Sequence, residues 1–117
     1  MSNMAKKDLN IKRGDIFYAD LGVGIGSEQS GIRPVIIVQN NTGNKHSSTT
    51  IVVPTTTKAK NELPTHFTFL LNGKRNIALA EQQKSIAKAR LKGNKIYSLN
   101  KDEIEQLDKV LAISIAL

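Results

Sequence analysis

The sequence contains no cysteine and no tryptophan, and aromatic residues make up only 4% of it. Without cysteine, the chain can form neither disulfides nor thiolate metal sites. So few aromatic side chains, most of them within strand-like patterns, argue against a sheet-wide platform for stacking RNA bases. No apolar run approaches the length of a membrane-spanning helix, and the polar first residues lack the apolar centre of a signal peptide. We therefore expect a cytoplasmic protein with no membrane partner.

Histidine is also scarce, and the two histidines lie far apart in different contexts. His46 lies among serines in a turn-rich segment, whereas His66 begins a predicted strand. They could in principle form an acid–base pair, but these contexts argue against it. With no clustered carboxylates beside them, a metal site is not expected. The glycine-rich segment 22–31 lacks the G-K-[ST] ending of a nucleotide-binding loop. The sequence therefore predicts a metal-independent protein without a cofactor.

Positive charge is what the chain has in excess, with 17 lysine and arginine residues against 10 acidic ones and a net charge of +7. Such a charge favours a polyanionic partner, either a nucleic acid or an acidic protein segment. A solvated lysine surface explains the charge equally well. At 117 residues the chain is expected to form one domain with a modest core, and dimerisation would help to bury its apolar surface.

The hydrophobic pattern predicts a series of short strands. Pro54 is expected to stop or bend one of them, and residues 40–48 are expected to form a turn-rich connection. Asn72–Gly73 is a strong hairpin signal. The loop at 22–31 has the composition of a mobile segment that could cover a site. The predicted strands are 15–21, 33–39, 49–53, 65–71, 76–80 and 84–91.

The last segment of the chain has the features of a helix. Asn100 suits the N-cap, and Glu103 can return a bond to the backbone N–H of the cap. Apolar residues then recur at helical spacing, at Ile104, Leu107 and positions 111 and 115. Several short strands closed by one helix predict a small, strongly bent and mostly antiparallel barrel.

The segment with the strongest indication of function is Gly26–Asn41. A polar loop carrying Ser27, Glu28 and Gln29 leads into the apolar strand 35–38, and Arg33 stands at their junction. These positions are typical of a binding site at the end of a rigid strand. The three loop side chains combine donors and acceptors that suit the edges of unpaired bases.

Arg33 has two interpretations. Its guanidinium stays charged and can bind a phosphate through two parallel hydrogen bonds. Alternatively, it pairs with Glu28 or Asp20 and only fixes the loop. From the residues alone, the second interpretation is the more common situation in proteins.

The segment also resembles the G-S-E-Q-x-G-x-R-P motif of the MazF/PemK family of toxin endoribonucleases. The resemblance continues at 13–20, 50–56 and 63–66 and at the pair Glu81–Gln82. It implies an SH3-like barrel of the CcdB/PemK type, formed by a single toxin domain over residues 13–117 behind a flexible lead of residues 1–12.

The resemblance also implies roles for single residues. Arg33 would act on the scissile phosphate, stabilising its charge and supplying a proton to the leaving oxygen. Thr56 would be the catalytic threonine, with Thr55 as the alternative within the run 55–57. The implied RNA-binding residues are Ser27, Glu28, Gln29, Thr55, His66, Glu81 and Gln82.

The implied activity is sequence-specific cleavage of single-stranded RNA, such as mRNA, without a metal. Attack by a 2′-hydroxyl would leave a 2′,3′-cyclic phosphate and a 5′-hydroxyl, and DNA would be inert. The protein would be a homodimer and the toxin of a type II toxin–antitoxin pair, inhibited by a MazE-like antitoxin with an acidic C-terminal tail. Two alternatives stay open: a non-catalytic DNA gyrase poison of the CcdB type, which shares the fold, and a plain RNA-binding module.

Overall fold

The computed structural model describes residues 11–58 and 61–117. Residues 1–10 of the predicted N-terminal lead, and residues 59 and 60 of the loop after β3, lie outside the described residues. The strands are β1 (Asp15–Asp20), β2 (Ile32–Ile37), β3 (Thr49–Thr56), β4 (His66–Leu71), β5 (Lys74–Leu79), β6 (Lys84–Ala87) and β7 (Leu91–Ser98). The helices are α1 (Asn41–His46) and α2 (Lys101–Ser114), with 3₁₀ turns η1 (Ala80–Gln82) and η2 (Lys88–Arg90).

The strands form one bent antiparallel sheet with the order β4-β5-β3-β2-β1-β7. Along one edge β3 pairs with β2, and along the other it pairs first with β6 and then with β5. Because β3 changes partners along its length, the sheet curves around it into a half-barrel. The predicted mostly antiparallel, barrel-like fold with a C-terminal helix is confirmed.

Apolar side chains are buried on both faces of the central strands. Ile16, Ile36 and Val53 pack in one cluster with Leu107 of α2. Their neighbours along the strands point to the opposite face and form a second cluster, because successive side chains of a strand alternate. The members of that second cluster are Ile11, Phe17, Ala19, Leu21, Val35, Ile37, Val52, Ile86 and Leu91. Burial on both faces explains why the segment 35–38 is continuously apolar.

Pro54 does not end β3, so of the two outcomes expected there, a stop or a bend of the strand, the stop is wrong. β3 continues to Thr56. Its pairing with β6 ends at Val52, and its pairing with β5 begins at Thr55. Pro54 lies between these two ladders, where the missing N–H of proline removes no bond to either of them.

Two other predicted segments differ from the structure. The connection 40–48 contains the short helix α1, capped by the Asn40 side chain, which accepts a bond from Gly43 N at 2.8 Å. The predicted strand 84–91 is interrupted by η2, and β7 then runs to Ser98. β7 was not predicted because it is an exposed edge strand and most of its residues are polar.

The predicted hairpin and C-terminal helix are confirmed. Asn72 and Gly73 both have positive φ, at 53° and 76°, and connect β4 to β5 as a type I′ turn requires. Asn100 and Glu103 form a reciprocal capping box at the start of α2. In the described ranges, no helix is both long enough and apolar enough to cross a membrane.

Candidate functional site

The register of the sheet puts the predicted catalytic residues on one face. Thr56 pairs with Ile77 of β5, and Thr55 pairs with Ala78. The β2–β3 ladder pairs Val35 with Pro54, and the same register continued by two residues sets Arg33 opposite Thr56. Cross-strand partners share a face, so Arg33 and Thr56 lie together. This face belongs to the second apolar cluster, on the side of the sheet away from α2.

The half-buried Arg33 side chain bonds to neutral backbone carbonyls. Its Nε donates to Ser30 O at 2.9 Å, and one Nη donates to Thr55 O at 3.4 Å. The two carboxylates that the sequence offers as partners of Arg33 are bonded elsewhere: Glu28 accepts from Ile25 N, and Asp20 accepts from Gly22 N, both at 2.9 Å.

Within residues 11–58 and 61–117, no ion pair joins Arg33 to a carboxylate. The structure therefore does not show the alternative in which Arg33 pairs with Glu28 or Asp20. A guanidinium has five N–H donors, and those not bonded to the two carbonyls can bind an anion.

The two adjacent threonines of β3 have different environments. Thr55 is buried, and its hydroxyl donates to Pro34 O at 2.9 Å. The Thr56 hydroxyl instead accepts from Lys58 N at 3.2 Å. In the part of the chain that the structure describes, the Thr56 O–H has no recorded acceptor, so it can donate to a phosphate oxygen. Thr56 itself is 4% exposed, so only a small part of its surface is accessible to a ligand.

The β1–β2 loop, residues 21–31, closes on itself through backbone bonds. Leu21 N donates to Gly31 O at 2.9 Å, and Gly31 N donates to Gly22 O at 2.8 Å. Ser27 and Glu28 are exposed at the far end of the loop, where their side chains can reach a ligand.

Gln82 of η1 holds the far end of the β1–β2 loop. Its Oε1 accepts from Gln29 N at 2.8 Å, and its Nε2 donates to Ser27 O at 3.1 Å. The loop is thereby attached to η1, which follows β5. The residues joined by these two bonds are more than fifty positions apart in the sequence.

Glu81 connects η1 to the start of β4. One carboxylate oxygen accepts from Thr65 Oγ1 and the other lies near His66 Nε2, both at 2.8 Å. Partial burial acts to raise the pKa of Glu81, but the bonds with His66 and Thr65 outweigh burial and lower the pKa overall. The carboxylate is therefore held ionised, and it fixes the His66 ring.

Two clefts adjoin Gln82. The first, of about 300 Å³, is lined by residues that include Glu28, Gln29, Gln82 and Lys84. The second, of about 290 Å³, is lined by residues that include Ser27, Asn61, His66 and Glu81. The two clefts bring together every predicted RNA-binding residue except Thr55, which lies inside the sheet.

Some residues of the site gave no distinct signal in the sequence. Asn61 lines the second cleft, but an asparagine in a charged loop is ordinary. Ser30 contributes its backbone carbonyl, which accepts a bond from Arg33. Every residue has such a carbonyl, so its role cannot be recognised from the sequence. Among the described residues, no group of three or more histidine and acidic side chains is placed to hold a metal ion.

A protein-family model and a relative of known function each match most of the chain. The family model for PemK-like, MazF-like toxins of type II toxin–antitoxin systems matches residues 12–115. The endoribonuclease EndoA of Bacillus subtilis is 41% identical over 114 residues, which cover 92% of this chain and 96% of the relative.

Solved structures share the fold at lower identity. MazF of Deinococcus radiodurans superposes with a TM-score of 0.78 at 18% identity, covering 92% of this chain and 97% of that one. An endoribonuclease from a mycobacterial species, solved in complex with its cognate antitoxin, has a TM-score of 0.77 at 22% identity with the same coverage. The resemblance seen in the motifs is thus confirmed, and the chain belongs to the family of PemK-like, MazF-like toxins of type II toxin–antitoxin systems.

Proposed function

We propose that the protein is a sequence-specific endoribonuclease that cleaves single-stranded RNA. The observation that carries the proposal is the environment of Arg33. Its guanidinium is held by two neutral carbonyls and lies on the same sheet face as the Thr56 hydroxyl. The similarity to EndoA supports the same activity class.

The reaction proposed is an internal phosphoryl transfer within the RNA. The 2′-oxygen of one nucleotide bonds to the adjacent phosphorus, and the bond from phosphorus to the 5′-oxygen breaks. The proton of the 2′-hydroxyl passes through water, and the departing 5′-oxygen takes up a proton from water. The products are a 2′,3′-cyclic phosphate and a 5′-hydroxyl. Because the nucleophile belongs to RNA, the proposal assigns no metal or cofactor, and DNA is not a substrate.

Arg33 and Thr56 have complementary roles in this proposal. The guanidinium keeps its proton near neutral pH, so we assign Arg33 the stabilisation of charge on the nonbridging oxygens rather than proton transfer. Thr56 is too weak an acid to titrate there, and its hydroxyl orients the phosphate by donating a hydrogen bond. Each donor is worth about 10²–10³ in rate, as for groups that stabilise an oxyanion.

The bases are read at the two clefts beside Gln82. Ser27, Glu28 and Gln29 present polar groups from the β1–β2 loop, and His66 and Glu81 do so from the opposite wall. Thr55 lies inside the sheet, and its proposed contribution is to hold Arg33 through its carbonyl. The order of donors and acceptors along these walls would select the cleavage motif.

We also propose the partners expected of a type II toxin. A homodimer formed by the domain 13–117 acts in the cytoplasm and is inhibited by a MazE-like antitoxin. The net charge of +7 favours an acidic, partly disordered antitoxin tail that folds as it binds. The mycobacterial neighbour solved with its cognate antitoxin supports a partner of this kind.

The test is to incubate the protein with a long unstructured RNA in EDTA, beside a DNA of the same sequence, and to map the fragment ends. We expect discrete RNA cuts with 5′-hydroxyl ends and intact DNA. The Arg33→Ala protein, purified as the same oligomer, should leave both intact. Intact RNA with the wild-type protein would overturn the proposal, and inhibition of gyrase supercoiling would then favour the CcdB-type alternative.

A further inference from the structure

We propose that Gln82 is a positioning residue that sets the conformation of the β1–β2 loop, rather than a residue that reads RNA bases. The inference rests on the proposed function for its consequence in cleavage, whereas the structural part stands independently. Gln82 makes both of its recorded bonds to the loop backbone, at Ser27 O and Gln29 N.

The geometry of these bonds defines the orientation of the amide. An N–H must meet an oxygen and a carbonyl must meet an N–H, so only one orientation of the Gln82 amide satisfies both Gln29 N and Ser27 O. The two anchor points flank Glu28, whose own side chain caps Ile25 N at 2.9 Å. Gln82 therefore fixes the backbone on either side of Glu28.

Other bonds of the loop are made within it, at its base between residues 21, 22 and 31 and locally between Ile25 and Glu28. Gly22, Gly26 and Gly31 have positive φ values of 73°, 60° and 71°, and a Cβ added at Gly26 or Gly31 would meet no atom within 4 Å. The side chains of Val23 and Ile25 are 96% and 81% exposed. A glycine-rich loop with exposed apolar side chains has many accessible conformations, and Gln82 selects one of them at its far end.

For the proposed reaction, this means that Gln82 affects the recognition of RNA bases more than the cleavage step. Within the described residues, the Arg33 side chain is bonded to this loop at Ser30 O, and Thr56 lies in β3. Loss of the Gln82 bonds would disorder the base-reading end of the loop while leaving the catalytic pair in the sheet. Selectivity among RNA sequences should therefore fall more than the rate at the best cleaved site.

Two substitutions of Gln82 separate the contributions of its two hydrogen bonds, to Gln29 N and to Ser27 O. Gln82→Met keeps the length of the side chain and removes both bonds. Gln82→Glu keeps an acceptor for Gln29 N but sets a second oxygen against Ser27 O. Gln39→Met is the matched control, because the Gln39 side chain also makes two hydrogen bonds, donating to Asn44 Oδ1 and to Thr49 O near α1.

The first measurement is hydrogen exchange of the free protein, followed by mass spectrometry of peptides that cover residues 22–31. We expect exchange in this loop to be about tenfold faster in Gln82→Met, as two modest hydrogen bonds are lost. Gln82→Glu should fall between it and the wild type, and Gln39→Met should match the wild type in the loop. Unchanged loop exchange in Gln82→Met would overturn the inference, whatever the protein does to RNA.

The second measurement is the distribution of cuts on a long RNA. We expect Gln82→Met to cut at additional sequences, with the ratio of preferred to other sites about tenfold lower. The rate at the preferred site should change less than this ratio. Uniform loss of cleavage at all sites, with loop exchange unaltered, would instead identify Gln82 as a direct RNA contact. Absence of cleavage by the wild type would contradict the proposed function but not the exchange result.

Discussion

Among single residues, Thr55 and Thr56 offer the clearest separation of stability from function. The Thr55 hydroxyl donates to the Pro34 carbonyl, whereas the Thr56 hydroxyl accepts from Lys58 N and lies on the sheet face of Arg33. We expect Thr55→Val to lower the free energy of unfolding by about 1–2 kcal/mol and to retain measurable cleavage. Thr56→Val should unfold like the wild type and lose most cleavage. Denaturant unfolding and an RNA cleavage assay test the pair, and the reverse pattern would move the catalytic threonine to position 55.

Arg33 should not be replaceable by lysine. Lysine keeps the charge but lacks the planar fork that binds two backbone carbonyls and a phosphate together. We expect Arg33→Lys to reduce the cleavage rate by about 10²–10³. Arg13→Lys, at the ion pair of Arg13 with Asp108 of α2, serves as the control and should cleave normally. A rate near that of the wild type in Arg33→Lys would show that charge alone suffices.

Glu81 makes stability depend on pH in a definite direction. The folded pKa of Glu81 lies below the ordinary pKa of a glutamate, so the ionised carboxylate stabilises the fold fully above that ordinary pKa. This contribution is lost as the pH falls through the lowered folded pKa. We therefore expect the stability advantage of wild type over Glu81→Gln to be constant near neutrality and to shrink in acid. Denaturant unfolding of both proteins between about pH 3 and pH 7 measures it, and a constant difference would contradict it.

The sequence predicts the residues of the candidate site better than it predicts the hydrogen-bond partners that position them. Arg33 can be identified from its place between a polar loop and an apolar strand. Its partners are the carbonyls of Ser30 and Thr55, which depend on how the loop closes and on the β2–β3 register. For the same reason, Gln82 resembled a base-reading residue in the sequence, although its amide is bonded to the loop backbone.

At the level of elements, the predictable parts are those with strong local signals. The Asn72–Gly73 turn and the capped helix α2 encode their structure within a few residues. β3 does not, because Pro54 is accommodated only by the change of partner from β6 to β5. α1 is stabilised by contacts outside the helix, since its buried Asn44 accepts from Thr50 Oγ1 of β3 at 2.8 Å. The local sequence of residues 41–46 does not reveal this contact.

The capping box makes a testable contribution to α2. Asn100 accepts from Glu103 N at 2.8 Å, and Glu103 accepts from Asn100 N at 2.9 Å. We expect Asn100→Ala to lower the free energy of unfolding by about 1 kcal/mol, because the Glu103 N–H at the helix start loses its side-chain acceptor. Asn100→Asp keeps an acceptor and should stay close to the wild type. Thermal unfolding distinguishes them, and equal midpoints for all three proteins would contradict the role of the cap.

For the whole molecule, the positions of the charged side chains say more about RNA binding than the net charge does. The net charge of +7 alone fits an RNA-binding surface and a solvated lysine surface equally well. The structure shows where single charges lie: Lys84 lines the first cleft together with Glu28 and Gln29. Lys109, in contrast, is an exposed residue of α2, which packs on the other face of the sheet. The two lysines therefore separate the two interpretations of the charge.

Salt dependence of binding measures the number of phosphates contacted. An oligonucleotide with 2′-deoxyribose throughout lacks the nucleophile, so its affinity can be measured by fluorescence anisotropy without cleavage. For single strands, the slope of log affinity against log salt is about −0.7 per neutralised phosphate. We expect Lys84→Gln to make the slope shallower by about 0.7 and Lys109→Gln to leave it unchanged. Equal effects of the two substitutions would mean that the positive charge acts diffusely, and that binding is not directed to the clefts beside Gln82.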